Sequence, residues 1–136
     1  MTFAALAIMA ALLQTLTPPL RTIDAGAMSN IDDARVVTVH DQVEWSALWR
    51  THAPDRPMPA VEWSKEMVVG VFLGTRTTAG YRVEIVGYRV EGGRVVVGYR
   101  EAAPPRGAIT AQILTSPFAL AAIPRRAGDV AFEKID

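Results

Sequence analysis

The apolar positions of this chain fall into short runs broken by turns, and only one stretch repeats them with a helical period. Arg35-Val36-Val37-Thr38-Val39-His40 reads as a strand rich in β-branched residues. Trp45, Leu48, Trp49 and His52 then recur at i, i+3, i+4 and i+7, which predicts a helix over about 41–52. Asp41 can accept from the amide of Glu44 at the helix start, and Pro54 stops the helix at its other end. Met67 to Leu73 is an unbroken apolar run of strand length, the pattern of a strand covered on both faces. Tyr81, Val83 and Ile85 alternate with Arg82 and Glu84, and the alternation slips at Val86-Gly87-Tyr88, where the glycine suggests a β-bulge. Gly92-Gly93 is a hairpin signal, and Arg94 to Arg100 is the return strand. Residues 111–114, 118–123 and 130–134 read as further short strands, with a break at Ser116-Pro117. One helix and six or seven strands predict an α+β domain: a mainly antiparallel β-sandwich or partly open barrel with the helix packed on it. In that fold Trp45, Leu48 and Trp49 are core residues, and Gly74, Gly92, Gly93 and Pro117 are structural positions at turns.

The start of the chain has a different pattern. Phe3 to Leu13 is apolar throughout and is followed by Pro18-Pro19. As a helix this run would extend about 17 Å at ~1.5 Å per residue, short of a hydrocarbon layer of about 30 Å. Its length suits a signal-peptide core, and Ala25-Gly26-Ala27 supplies a small-x-small cleavage pattern, although no basic residue precedes Phe3. The expectation is a leader over 1–27 and one domain over 28–136, exported to the periplasm or medium without a span in its mature form. Retention of residues 3–20 as an anchor is the alternative.

A meander of strands has a consequence for the loops. If 67–73 runs up and 81–91 runs down, then 94–100 runs up again, and the loops 74–80 and 101–109 share one end of the sheet. If Ser116-Pro117 is a true reversal, the loop Pro124 to Asp129 joins them. Loops on a rigid sheet are a usual place for function, so the expected binding rim comprises Thr75, Arg76, Thr77, Thr78, Gly80 and Tyr81 with Pro104, Arg106, Arg125 and Arg126. That rim would be mildly basic.

Composition removes several chemistries. Half of the 136 residues are apolar, enough for a core without metals or disulfides. No cysteine is present, so thiolate ligands and thiol nucleophiles are absent. Fourteen basic residues balance fourteen acidic ones, which gives no general affinity for nucleic acid. His40 and His52 would lie about 18 Å apart along the helix at ~1.5 Å per residue, and no third nitrogen or sulfur ligand accompanies them. No metal or cofactor is therefore expected. Ser46 lacks the glycines of a nucleophile elbow, and the acidic residues show no catalytic pairing, so no catalytic residues are assigned.

Glu44-Trp45-Ser46-Ala47-Leu48-Trp49, Val61-Glu62-Trp63, Met67 to Gly74, Thr78-Ala79-Gly80-Tyr81, Thr115-Ser116-Pro117-Phe118 and Ile123-Pro124 together resemble the PrcB C-terminal-domain family, from about Val36 onward. The resemblance implies a non-catalytic accessory domain that binds and stabilises a cell-envelope protease, with the glycine-tyrosine turn as its hallmark. Ala79 stands where that family usually has the first of two glycines. More weakly, Thr77-Thr78-Ala79-Gly80-Tyr81 resembles a loop of chagasin-type cysteine-peptidase inhibitors, without their Asn-Pro or Arg-Pro-Trp elements. A third reading, a small-ligand or glycan binder, requires tryptophans and tyrosines exposed on the sheet.

Overall fold

The computed structural model describes residues 15–136. Its elements are β1 (Arg21–Gly26), β2 (Ala34–Val39), α1 (Gln42–His52), β3 (Glu66–Leu73), β4 (Arg82–Glu91), β5 (Arg94–Ala102), β6 (Phe118–Pro124) and β7 (Val130–Lys134). They form a four-stranded sheet in the order β1-β6-β3-β2 and a three-stranded sheet in the order β4-β5-β7. All neighbours pair antiparallel except β5 and β7, which run parallel. The α+β sandwich expected from the pattern is the fold observed.

β3 lies at its centre. Met67, Val69, Val71 and Leu73 face the second sheet, where they meet Val83, Ile85, Val95 and Val97, while Val68 and Phe72 face the helix side. The helix docks through Trp45 and Trp49, and each indole N–H donates to a backbone carbonyl, Pro59 and Arg56 respectively. Asp41 caps the helix by accepting from the Glu44 amide at 2.8 Å. Glu44 reaches back to the amide of His40 rather than that of Asp41, so the capping box closes one residue early. With Trp45 and Trp49 enclosed in the helix-side core, the tryptophan platform that a glycan binder requires is not formed by this pair.

The strand details of the second sheet follow the sequence. The register of β4 against β5 shifts between Ile85 and Gly87, the expected bulge. Gly92 and Gly93 both take positive φ, 58° and 79°, as a tight hairpin needs.

One expectation fails. Residues 111–114 are not a strand; they belong to a long connection over the end of the sandwich, so Ser116-Pro117 reverses nothing. The chain enters β6 directly from the end where β5 finished. Residues 21–26, the last part of the stretch read as a leader, form edge strand β1 on β6. The apolar run 3–13 lies outside the described residues. Among the described residues no helix is long and apolar enough to cross a membrane.

Truncating Trp45 to alanine is expected to cost about 3–5 kcal/mol, read from urea unfolding. Val43→Ala, on the exposed helix face, is expected to stay within about 0.5 kcal/mol. Equal effects would show that α1 does not dock by its tryptophan face.

Candidate functional site

Register decides which loops meet. Ala34 pairs with Leu73, Phe118 with Phe72, Gly26 with Phe118 and Arg82 with Ala102, so the connections 27–33, 74–81 and 103–117 share one end of the sandwich. They are tied to one another through the backbone. Arg76 and Thr115 exchange two hydrogen bonds of 2.8 and 2.9 Å, and Ala79 N–H donates to the Ala111 carbonyl. Thr75 N–H donates to Asp32, Ser29 N–H to Ser116, and Ser116 N–H to Ala27. The Thr115 hydroxyl, buried, donates to the Thr78 carbonyl.

Within the glycine-tyrosine loop Arg76 and Thr78 are partly buried, while Thr75 and Thr77 are exposed. The Arg76 guanidinium donates to the carbonyls of Leu73 and Thr75 and lies over the Tyr81 ring, 5.6 Å from its centre. It is a brace for the loop more than a free cation. Tyr81 is half-buried and forms the wall between a cleft of about 440 Å³, lined also by Gly80, Ala103, Pro104 and Thr110, and one of about 200 Å³ lined by Leu73, Arg76, Glu101 and Lys134. Gly80 has φ 101° and packs so close to Pro104 that a side chain there would overlap the ring. No residue other than glycine has positive φ among the described residues, so Ala79 fits its place without strain. Thr77 is exposed and Arg106 projects into solvent.

Arg125 and Arg126 are not part of this rim. Because residues 111–114 are loop, β6 runs down instead of up, and Pro124 ends opposite Glu66 at the far end. There Arg125 donates to the His40 carbonyl, and Asp129 accepts from Val95 beside the Gly92-Gly93 hairpin. The third loop of the rim is 27–33 instead. This end displays four exposed apolar side chains, Met28 (63%), Ile109 (101%), Ile113 (52%) and Leu114 (66%). They stand among exposed polar residues of both signs, Asp32, Asp33, Thr77 and Arg106, so the rim is mixed and not basic.

Beneath loop 27–33 lies a polar cluster that the sequence did not disclose. His52 is fully enclosed, with its ring packed edge-on against Trp49, Phe72 and Phe118. Its Nε2 lies 3.0 Å from Asp24 Oδ2 and its Nδ1 lies 2.7 Å from Ser29 Oγ. Asp24 in turn receives two bonds from the Arg56 guanidinium. With an ionised Asp24, which only accepts, Nε2 carries the proton of the neutral ring; Nδ1 then accepts from the Ser29 hydroxyl, and Ser29 Oγ accepts from the Ile31 amide. The three residue types match a hydrolytic relay, but the connections differ. Serine sits on Nδ1 and aspartate on Nε2, Ser29 is buried, and its oxygen is held by a backbone amide. The clefts at the rim are lined by other residues. The cluster works as a clasp joining β1, loop 27–33 and the end of α1. Sequence reasoning assigned Asp24 to the leader and His52 to the apolar face of the helix, and no local motif links them. Among the described residues no group of three His, Asp or Glu side chains could hold a metal ion.

Residues 67–124 match the family model described as PrcB C-terminal. The match agrees with the resemblance read from the sequence, and it spans β3 to β6 together with two of the three rim loops. It stops short of α1, β1 and the clasp, which flank the PrcB C-terminal segment on its N-terminal side. No curated protein and no solved structure matches the chain.

The clasp gives the domain a defined response to acid. Burial holds the His52 pKa below its ordinary 6.5, an effect that the bond and charge of Asp24 only partly offset. Burial raises the Asp24 pKa, but the bonds from Arg56 and His52 outweigh it and leave the carboxyl below its ordinary 3.8. An unfolded chain protonates His52 first as pH falls, so the stability from its burial is complete above about pH 6.5 and is lost through the lowered folded value. The contribution of Asp24 is present above about pH 3.8 and is lost below it. Unfolding free energy is thus expected to decline as pH falls below about 6.5, followed by protein unfolding in urea at fixed pH steps. In His52→Gln the protein is less stable at neutral pH, and its decline just below about pH 6.5 is flattened. An unchanged slope in that variant would show that His52 is not the group titrating.

Proposed function

We propose that this domain is a non-catalytic protein-binding module, exported, that docks on and stabilises a protease of the cell envelope. The observation that carries the reading is the loop end: four exposed apolar side chains stand on two of three connections that are cross-bonded into one platform. Exposed apolar side chains gathered at one end of a domain are costly in water and mark a surface used for association. The PrcB C-terminal match supports the choice of a protease-complex partner, and it covers Ile109, Ile113 and Leu114 along with the glycine-tyrosine loop. On this reading Met28, Ile109, Ile113 and Leu114 supply the contact area. Thr77 and Arg106 border it, and Tyr81 with Arg76 holds the platform in shape.

The three-loop end also suits a second reading, occlusion of the active-site groove of a papain-like peptidase. The two readings separate in a simple assay: an accessory subunit leaves such peptidases active at micromolar concentrations of the domain, whereas an inhibitor does not.

The double variant Ile109→Asp/Leu114→Asp is expected to lose at least tenfold in affinity for an envelope protease recovered on the immobilised native domain, while its melting temperature stays within about 2 °C, because the changed side chains are solvent-exposed. Arg125→Ala/Arg126→Ala, at the opposite end, is expected to bind as the native domain does. The reverse pattern would place the docking surface at the wrong end.

A further inference from the structure

Residues 16–26 make backbone contacts with both sheets, at Thr17 with β4 and from Leu20 to Gly26 with β6. Gly87 and Gly98 are cross-strand partners in β4 and β5, and together they leave bare backbone on the outer side of the sheet. Leu16 and Thr17 lie on it. A methyl on Gly98 would stand 2.6 Å from Leu16 Cδ1, and one on Gly87 would overlap the Thr17 carbonyl oxygen. Thr17 and Tyr88 exchange two backbone hydrogen bonds of 2.8 Å, so the bulge in β4 is also the docking point of this segment. Leu20 N–H donates to Ala122, and β1 then pairs along β6 from Arg21 to Gly26.

The side chains add specific ties. Arg21 donates to Glu66, whose carboxylate is nearly buried, at 2.9 Å and to the Ala60 carbonyl at 3.1 Å. Asp24 supplies the carboxylate of the clasp, and Ile23 packs into the helix-side core. The small residues that imitate a cleavage site lie at the end of β1: Gly26 sits beside the Phe118 ring, where a methyl would make ordinary contact at 3.4 Å. A cut after Ala27 would remove the acceptor of His52 Nε2 and both acceptors of Arg56, and it would bare the β6 edge from Phe118 to Ala122.

We propose that residues 16–26, which include β1, are a permanent part of the folded domain, and that any proteolytic maturation of the chain cuts N-terminal to Leu16 and not after Ala27. The small-x-small signal at 25–27 is then a packing feature of a strand end.

The test starts from the full chain, secreted by a bacterial host, with the product analysed by intact mass. The expected product either begins at or before Leu16 or is uncut. A first residue anywhere from Thr17 to Met28 overturns the proposal. Amide hydrogen exchange on the same product supplies an independent arm. Thr17 and Leu20 are expected to be protected, and Gly87→Ala, which places a methyl against Thr17, is expected to reduce their protection at least tenfold while β3 amides keep theirs. Unprotected Thr17 and Leu20 amides in the native product, or protection indifferent to Gly87→Ala, would show that the segment does not dock.

Discussion

Burial of β3 on both faces is the constraint from which the rest of the architecture follows. A strand with Val68 and Phe72 on one side and Met67, Val69, Val71 and Leu73 on the other needs two covers, and each must be apolar. One cover is a second sheet. The other is α1, and a helix of eleven residues covers its side only because it carries two tryptophans on the docking face. The last turn of that helix brings a polar ring, His52, into the same apolar layer. A buried imidazole must be hydrogen-bonded on both nitrogens or it is strongly destabilising. Asp24 and Ser29 meet that need, and in doing so they fix where β1 and loop 27–33 lie.

The sheet orders explain the character of the loop end. The connections β1–β2, β3–β4 and β5–β6 gather there, and the longest, 103–117, has no strand of its own. Its polar backbone is satisfied by lying on the 74–81 loop, which leaves its apolar side chains pointing away from the core. Arg76, Thr78 and Thr115 turn their hydrogen-bonding groups toward the platform, so polarity is consumed in holding it together. Rigid loops with outward apolar groups lose little freedom when a partner settles on them, and that favours association.

Much of this was legible from the chain. The helix, the two-face burial of 67–73, the bulge at Gly87 and the Gly92-Gly93 hairpin all follow from local periodicity and turn chemistry, which is where sequence patterns are most direct. What failed depended on long-range partners. Ala111-Gln112-Ile113-Leu114 has the composition of a strand but finds no neighbour to pair with, and one strand miscounted reverses the direction of everything after it. That single step carried Arg125 and Arg126 to the far end. That Arg21 to Gly26 forms a strand was hidden for a related reason: its pairing partner, β6, lies far along the chain, and nothing local marks the segment as a strand. The clasp joins residues 24, 29, 52 and 56, a spacing set by tertiary packing and by nothing local.

The clasp and the rim are parts of one mechanical unit. Loop 27–33 is the only rim connection outside the segment that matches PrcB C-terminal, and it is held from below by Ser29 and from the side by Ser116 and Thr75. Met28 lies between the side and lower supports, one residue before Ser29 and bridged to Ser116. The Met28 edge of the platform is thus tied to the clasp through Ser29 as well as to Ser116, while Ile109, Ile113 and Leu114 stand on a loop anchored to Arg76, Ala79 and Pro104. A partner that uses only the 103–117 loop would be indifferent to the state of the clasp. One that spans to Met28 would bind a platform whose shape depends on a neutral, buried histidine.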